Sequence, residues 1–245
     1  MLNFSTISDI NLFAFKNNNR SQDVVAKKQE ILDSIARYHN LTPTRILFVG
    51  FSSFVMARFA NKIAITCIND EVKDYLVQQR VDFEYISEID LLAHKTQFDV
   101  VVAVDEYFTY AETDQAQKDL VEQISSLATD YVITTLRDYK NQDYKDREFS
   151  QPSIVRNGAE STIFLESHNW SNSDRSNWNS TVYAINQQTR AMTTYGEFAR
   201  RTMYFKQLAN FSSLHNNTDF TVHKNLMYKS LIKKNYEHVI TITFN

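Results

Sequence analysis

The sequence predicts an α/β fold: a Rossmann-like three-layer sandwich with a mostly parallel sheet, an antiparallel C-terminal strand pair and an inserted β-hairpin. Short apolar runs such as "ILFVGF", "IAITCI" and "FDVVVAV" suit strands buried on both faces, as parallel sheets require. Amphipathic stretches alternate with these runs at the pitch of right-handed crossovers. The last run, Val239 to Phe244, alternates apolar and polar residues instead, which suits an antiparallel strand with one less buried face.

Taken in order, residues 1 to 20 show no clear period and end in "KNNNR", a turn sequence. From Ser21, the residues Val24, Val25, Ile31, Leu32, Ile35 and Tyr38 recur at helical spacing, and "LTPT" ends that helix. "ILFVGF" is then the first strand, "FVMARFAN" a helix, "IAITCI" a strand, "EVKDYLVQQ" a helix, and "VDFEYI" and "FDVVVAV" strands. Leu120, Val121, Ile124, Leu127 and Ala128 mark a further helix before the strand "DYVITTL". After Leu136 the rhythm changes. Residues 137 to 160 are polar and turn-rich, and "STIFLESHNW" and "STVYAINQQ" flank the polar tip "SNSDRSNWN" as an antiparallel hairpin. "EFARRTMYFKQLANFSSL" reads as a helix. The expected organisation is one domain over 1–245, with 1–40 a helical lead-in and 137–195 an insertion carrying the hairpin.

At 245 residues, 43% hydrophobic and 22% charged, the chain is long enough to bury a full core. A formal net charge of −3 gives no global case for binding a polyanion, so a small molecule or a protein is the expected partner rather than bulk nucleic acid. The single cysteine, Cys67, excludes an internal disulfide framework and a cysteine-based zinc site, and no metal is expected. The N-terminus lacks the basic-then-apolar pattern of a signal peptide, and no apolar run approaches the roughly 18 to 20 residues that span a bilayer. A cytoplasmic protein without membrane association is therefore expected, and the sequons at Asn169 and Asn179 read as chance in an Asn-rich chain. Glycines stand only at 50, 158 and 196, which rules out both a P-loop and the G-x-G-x-x-G of a nicotinamide fold. Neither a G-x-S-x-G elbow nor an H-E-x-x-H pair is present.

The order of strand, loop, helix, acidic residue after the second strand and final antiparallel pair resembles that of the class I S-adenosylmethionine-dependent methyltransferases, from about Ser21 to the C-terminus. "FDVVVAVDEY" is the closest local match. The resemblance implies S-adenosylmethionine as cofactor and places its contacts on four loops. Val49, Gly50, Phe51 and Ser52 would pass under the methionine part, and Asn69 and Asp70 would hold the ribose. Ser87 and Glu88 would flank the adenine, while Asp105, Glu106 and Tyr107 would line the reaction chamber. Candidates for the base that takes a proton from the acceptor are Asp105, Glu106 and His168. The hairpin at 161 to 189, with His168, Trp170 and Trp178, resembles substrate-facing inserts of some members. Arg200 and Arg201 read as a solvated helix face.

One departure stands out. "LFVGFSS" carries Gly50 alone and no carboxylate ahead of it, where the family usually offers an acidic residue and two or three glycines. Two readings therefore stay open. One is a methyltransferase acting on an unidentified acceptor; the other is a fold kept as a binding or assembly module without chemistry.

Overall fold

The structure is a computed structural model that describes residues 4–57, 62–93, 97–139, 147–150, 152–170, 176–213, 218–230 and 236–244. Its frame is a seven-stranded sheet. In chain order the strands are β1 (Arg45–Val49), β2 (Lys62–Thr66), β3 (Phe83–Tyr85), β4 (Phe98–Ala103) and β5 (Ala128–Leu136). A second sheet follows, and the chain then returns with β11 (Thr218–Lys229) and β12 (Tyr236–Phe244). The spatial order is β11-β12-β5-β4-β1-β2-β3, with β1 parallel to both β2 and β4, and β12 antiparallel to β5 and β11.

Ile46, Leu47, Phe48 and Val49 are each at most 2% exposed, as are Val100 to Val102 on β4 beside them. Full burial of one such side chain contributes about 1.5–3 kcal/mol, and this double-sided burial is what the apolar runs encode. Asp99 secures the entry to β1. Its carboxylate accepts from the backbone N–H of Thr44, from Thr44 Oγ1 at 2.7 Å and from the Arg45 N–H at 3.1 Å.

The helices are α1 (Phe4–Lys16), α2 (Ser21–His39), α3 (Asp70–Gln78), α4 (Glu88–Ala93), α5 (Asp114–Ser126) and α6 (Phe205–Ser212). α5 packs on β5, and α6 packs on α5 and β11. No helix among the described residues is long and apolar enough to cross a membrane.

Three local expectations need correction. Residues 1 to 20 contain α1, whose buried set of Phe4, Ile7, Ser8, Ile10, Asn11, Leu12, Ala14 and Phe15 wraps most of the helix and leaves no clean stripe. The first crossover "FVMARFAN" is a 3-10 turn over Ser53–Met56, with residues 58–61 outside those described. "EFARR" is the end of a strand, not a helix, and only Phe205–Ser212 is helical.

The expected hairpin is present as β8 (Glu160–Trp170) paired with β9 (Asn177–Asn186), its tip at 171–175 outside the described residues. It belongs to a larger antiparallel sheet. β6 (Arg147–Phe149) and β7 (Ser153–Asn157) pair with β8, and β10 (Met192–Arg201) pairs with β9. Along β10, Phe198 and Arg200 are buried while Glu197 and Ala199 are exposed, so the period is two; it was hidden because one buried residue is an arginine.

Burial raises the Asp99 carboxyl, but the Thr44 and Arg45 hydrogen bonds outweigh it and hold the group below the usual carboxylate range. A depressed carboxyl stabilises the fold above its unfolded value, and that contribution is lost as pH falls through the folded one. Asp99→Ala is expected to lower the urea unfolding free energy by about 1–3 kcal/mol at neutral pH. The gap to the parent should narrow on acidification below about pH 4.

Candidate active site

The sheet order reverses between β1 and β4, and ligands of open α/β sheets bind outside the carboxyl ends of the strands at such a point. Each loop leaving these strands turns through the left-handed region. Gly50 has φ 79°, Cys67 58°, Asp105 61° and Glu106 57°. For non-glycine residues this conformation costs of order 1–3 kcal/mol and persists only when the surroundings over-determine it. Gly50 N–H donates to the Thr66 carbonyl at 2.8 Å, which ties the first loop to the end of β2.

α1 provides those surroundings. Ser8 Oγ accepts from the Phe51 N–H at 3.0 Å and has the Cys67 carbonyl at 2.8 Å. Asn11 Nδ2 lies 3.1 Å from both the Phe51 carbonyl and Asp105 Oδ2. The other Asp105 oxygen accepts from Tyr228 Oη at 2.9 Å, so one helix joins loops 50, 67 and 105 to the last strand pair. Phe4 stands edge-on to Tyr107 and Tyr110, with ring centroids 4.8 and 5.4 Å away. A Cβ on Gly50 would lie 2.4 Å from the Phe4 ring and 3.0 Å from Ser8 Oγ. The close approach that the lone glycine allows is thus used by α1.

The remaining sequence candidates divide. Val49 ends β1, Phe51 is buried beneath α1, and Ser52 is buried next to it in the chain. Asn69 caps α3, its side chain accepting from the Val72 N–H at 3.1 Å. The Asp70 side chain is 93% exposed and pairs with Lys73 at 2.9 Å, and that hydrogen bond holds its carboxyl below the ordinary value. Ser87 accepts from the Asp90 N–H at 3.1 Å and so caps the start of α4, where Glu88 is the first residue. Burial, with Glu88 next in importance, pushes the Cys67 thiol up; burial, then Cys67 and Glu88, raises the Tyr107 phenol.

Glu106 anchors a second group that spacing could not reveal. Its Oε2 accepts from Arg137 Nε at 2.9 Å and Nη2 at 2.7 Å and lies 3.4 Å from Arg200 Nη1, while Oε1 accepts from Tyr139 Oη. Arg200 also donates to Tyr110 Oη and lies over that ring at 4.1 Å. Glu166 Oε1 stands 3.9 Å from Arg200 Nη1 and 3.4 Å from His168 Nε2. Arg200, expected on a solvated helix face, is 1% exposed and fastens the second sheet to the first. Arg201, its neighbour, instead pairs with Asp114 at 2.7 Å at the surface. His168 is 3% exposed, and its Nε2 has no hydrogen-bond partner among the described residues. Trp178 is buried, and Trp170 faces it across β8 and β9 at 4.9 Å.

Gly50→Ala is expected to cost about 2–4 kcal/mol in thermal or urea unfolding, combining left-handed strain with overpacking. In a Phe4→Ala background only the strain of about 1–2 kcal/mol should remain, and equal costs in both backgrounds would remove Phe4 from its seat on Gly50. Glu106→Gln leaves two buried guanidinium groups short of their counter-charge. A loss of about 3–5 kcal/mol in urea unfolding is expected.

No protein-family model matches the chain, and no curated protein matches it by sequence. Solved structures do. DesVI of Streptomyces venezuelae superposes with a TM-score of 0.68 at 9% identity, covering 92% of this chain and 94% of that one. An S-adenosylmethionine-dependent methyltransferase from Clostridium acetobutylicum gives 0.65 at 9% identity over 90% and 92%. The S-adenosylmethionine-bound amino pentose methyltransferase CalS10 of Micromonospora echinaspora gives 0.65 at 9% over 91% of each chain. With the strand order and the antiparallel final pair, these likenesses establish that the chain has the class I S-adenosylmethionine-dependent methyltransferase fold.

Proposed function

We propose that the chain is an S-adenosylmethionine-dependent methyltransferase whose cofactor place, at the carboxyl ends of β1, β2 and β4, is covered by α1 in the arrangement described above. The observation that supports this reading is the set of groups α1 satisfies. The Phe51 N–H, the Phe51 and Cys67 carbonyls and Asp105 Oδ2 take a hydroxyl and an amide from Ser8 and Asn11. An amino-acid moiety and a ribose carry donors and acceptors of the same kinds, so the residues fit the cofactor once α1 lifts. The Phe4 ring, 2.4 Å from where a Cβ on Gly50 would stand, covers the backbone that the cofactor would approach.

When bound, the cofactor supplies an electrophilic methyl group with its own leaving group. The chain's part is positioning and water exclusion, which can contribute about 7–11 kcal/mol in favourable cases. Phe51 and Cys67 backbone groups would hold the amino-acid end, and Asn69 with Asp70 would hold the ribose from the start of α3. Asp105 and Glu106 are occupied in fixing the loop after β4, which leaves His168 Nε2 as the group we assign to accept a proton from the acceptor. For that acceptor an amino sugar is one precedent, since CalS10 is an amino pentose methyltransferase.

Calorimetric titration with S-adenosylhomocysteine tests the reading. Binding in the micromolar range, about −8 kcal/mol, is expected. Because the parent must first release α1, Phe4→Ala should bind about tenfold more tightly, and ligand should speed amide exchange along α1 in the parent. Absence of heat from both proteins at millimolar ligand would leave the fold as a scaffold without chemistry.

A further inference from the structure

A cavity of about 460 Å³ lies between the N-terminal half of α2, strand β7 and the end of β11, apart from the strand-end loops. Its charged lining is Arg20, Lys27, Lys28 and Lys229 against Asp23 alone, in a chain whose formal net charge is −3. The volume falls in the range of small-molecule sites, about 300–1,000 Å³.

Lys28 sets the chemistry. It is 4% exposed, donates from Nζ to the Lys229 carbonyl at 2.8 Å, and lies 3.7 Å from the Tyr228 ring centroid and 5.4 Å from that of Phe54. Among the described residues it forms no ion pair. A buried ammonium held only by a carbonyl and two aromatic faces lacks the counter-charge that buried ions require. Burial accordingly lowers its pKa to about 7; Asp105 in the loop after β4 and Glu237 on β12 oppose that shift, while Lys27 and Lys229 add to it. α2 begins at the same cavity with Arg20 as N-cap and no side-chain cap, so the positive end of its helix dipole adds to the field. Val24, Ile31, Ile154 and Val155 supply an apolar wall.

We propose that this cavity binds a small organic phosphate monoester, whose dianionic head would pair with Lys28 and the basic rim while its apolar body rests on the aliphatic wall. A dianion suits the cluster better than a monocarboxylate because four cationic residues line the cavity against one acid.

Titration of the intact protein with phenyl phosphate tests this, with inorganic phosphate and benzoate as comparators. Phenyl phosphate is expected to bind at least about tenfold more tightly than either. Arg20→Gln/Lys27→Gln, two changes at exposed positions, should weaken it by about tenfold or more, and Lys28→Met by at least as much. Binding places a full proton on Lys28, so affinity in the parent should fall as pH rises from about 7 to about 9. That slope should vanish in Lys28→Met. No binding at 10 mM phenyl phosphate, or an affinity unchanged in Arg20→Gln/Lys27→Gln, would overturn the proposal whether or not Lys28→Met folds; so would equal affinity for benzoate, which would make the site one for any anion.

Discussion

The organisation of the molecule depends on a requirement at the carboxyl edge of its parallel strands. Backbone groups leaving β1 and β2, and the Asp105 carboxylate after β4, must find partners away from water, and two short polar side chains on α1, Ser8 and Asn11, supply them. A buried donor or acceptor left without a partner costs about 1–3 kcal/mol, so the helix is fixed by polar demand as much as by apolar contact. The left-handed turns at Cys67 and Asp105 are held from the same helix, whereas Glu106 is held by Arg137 and Tyr139. Strain in the loops and the seat of α1 are two aspects of one arrangement.

A second constraint joins the sheets. Glu106 belongs to the loop after β4, Arg137 and Tyr139 follow β5, and Arg200 is the last residue but one of β10, yet all four side chains meet in a space closed to solvent. Such a cluster is costly to break and of modest net worth when complete, so its main effect is on geometry. It sets the second sheet against the strand ends, and Glu166 and His168 are carried with it. The same group also shows why a carboxylate named as a base from its position in the chain can turn out to be a fastening.

Much of the fold was legible in the sequence because double-sided burial writes itself as unbroken apolar runs. β1, β2, β4 and β5 carry that signature; the alternation of β12 marked it as a strand, although Thr241 on its polar side is as fully buried as Ile240 and Ile242 because β12 lies between β5 and β11. Legibility fails where polar residues are buried. α1 hides Ser8 and Asn11 among its inward residues and exposes Phe13, so its period blurs. β10 buries Arg200 where a reader expects an apolar residue, and "EFARR" then passes for a helix face. The Glu106 cluster draws on residues 106, 137, 139 and 200, whose separations carry no local signal. Gly50 was visible, but what presses on it was not: the glycine-poor loop reflects a neighbour from the chain itself.

The seat of α1 also bears on the order in which the chain can complete itself. α1 precedes every strand it touches, and its last partner, Tyr228 through Asp105, lies more than two hundred residues further along. A helix emerging early from the ribosome must therefore wait, its inward face uncovered, until β4 and the final strand pair are in place. Over that interval part of the apolar surface of Phe4, Ile7, Ile10 and Phe15 stays uncovered, which makes α1 a segment open to non-native contacts during folding.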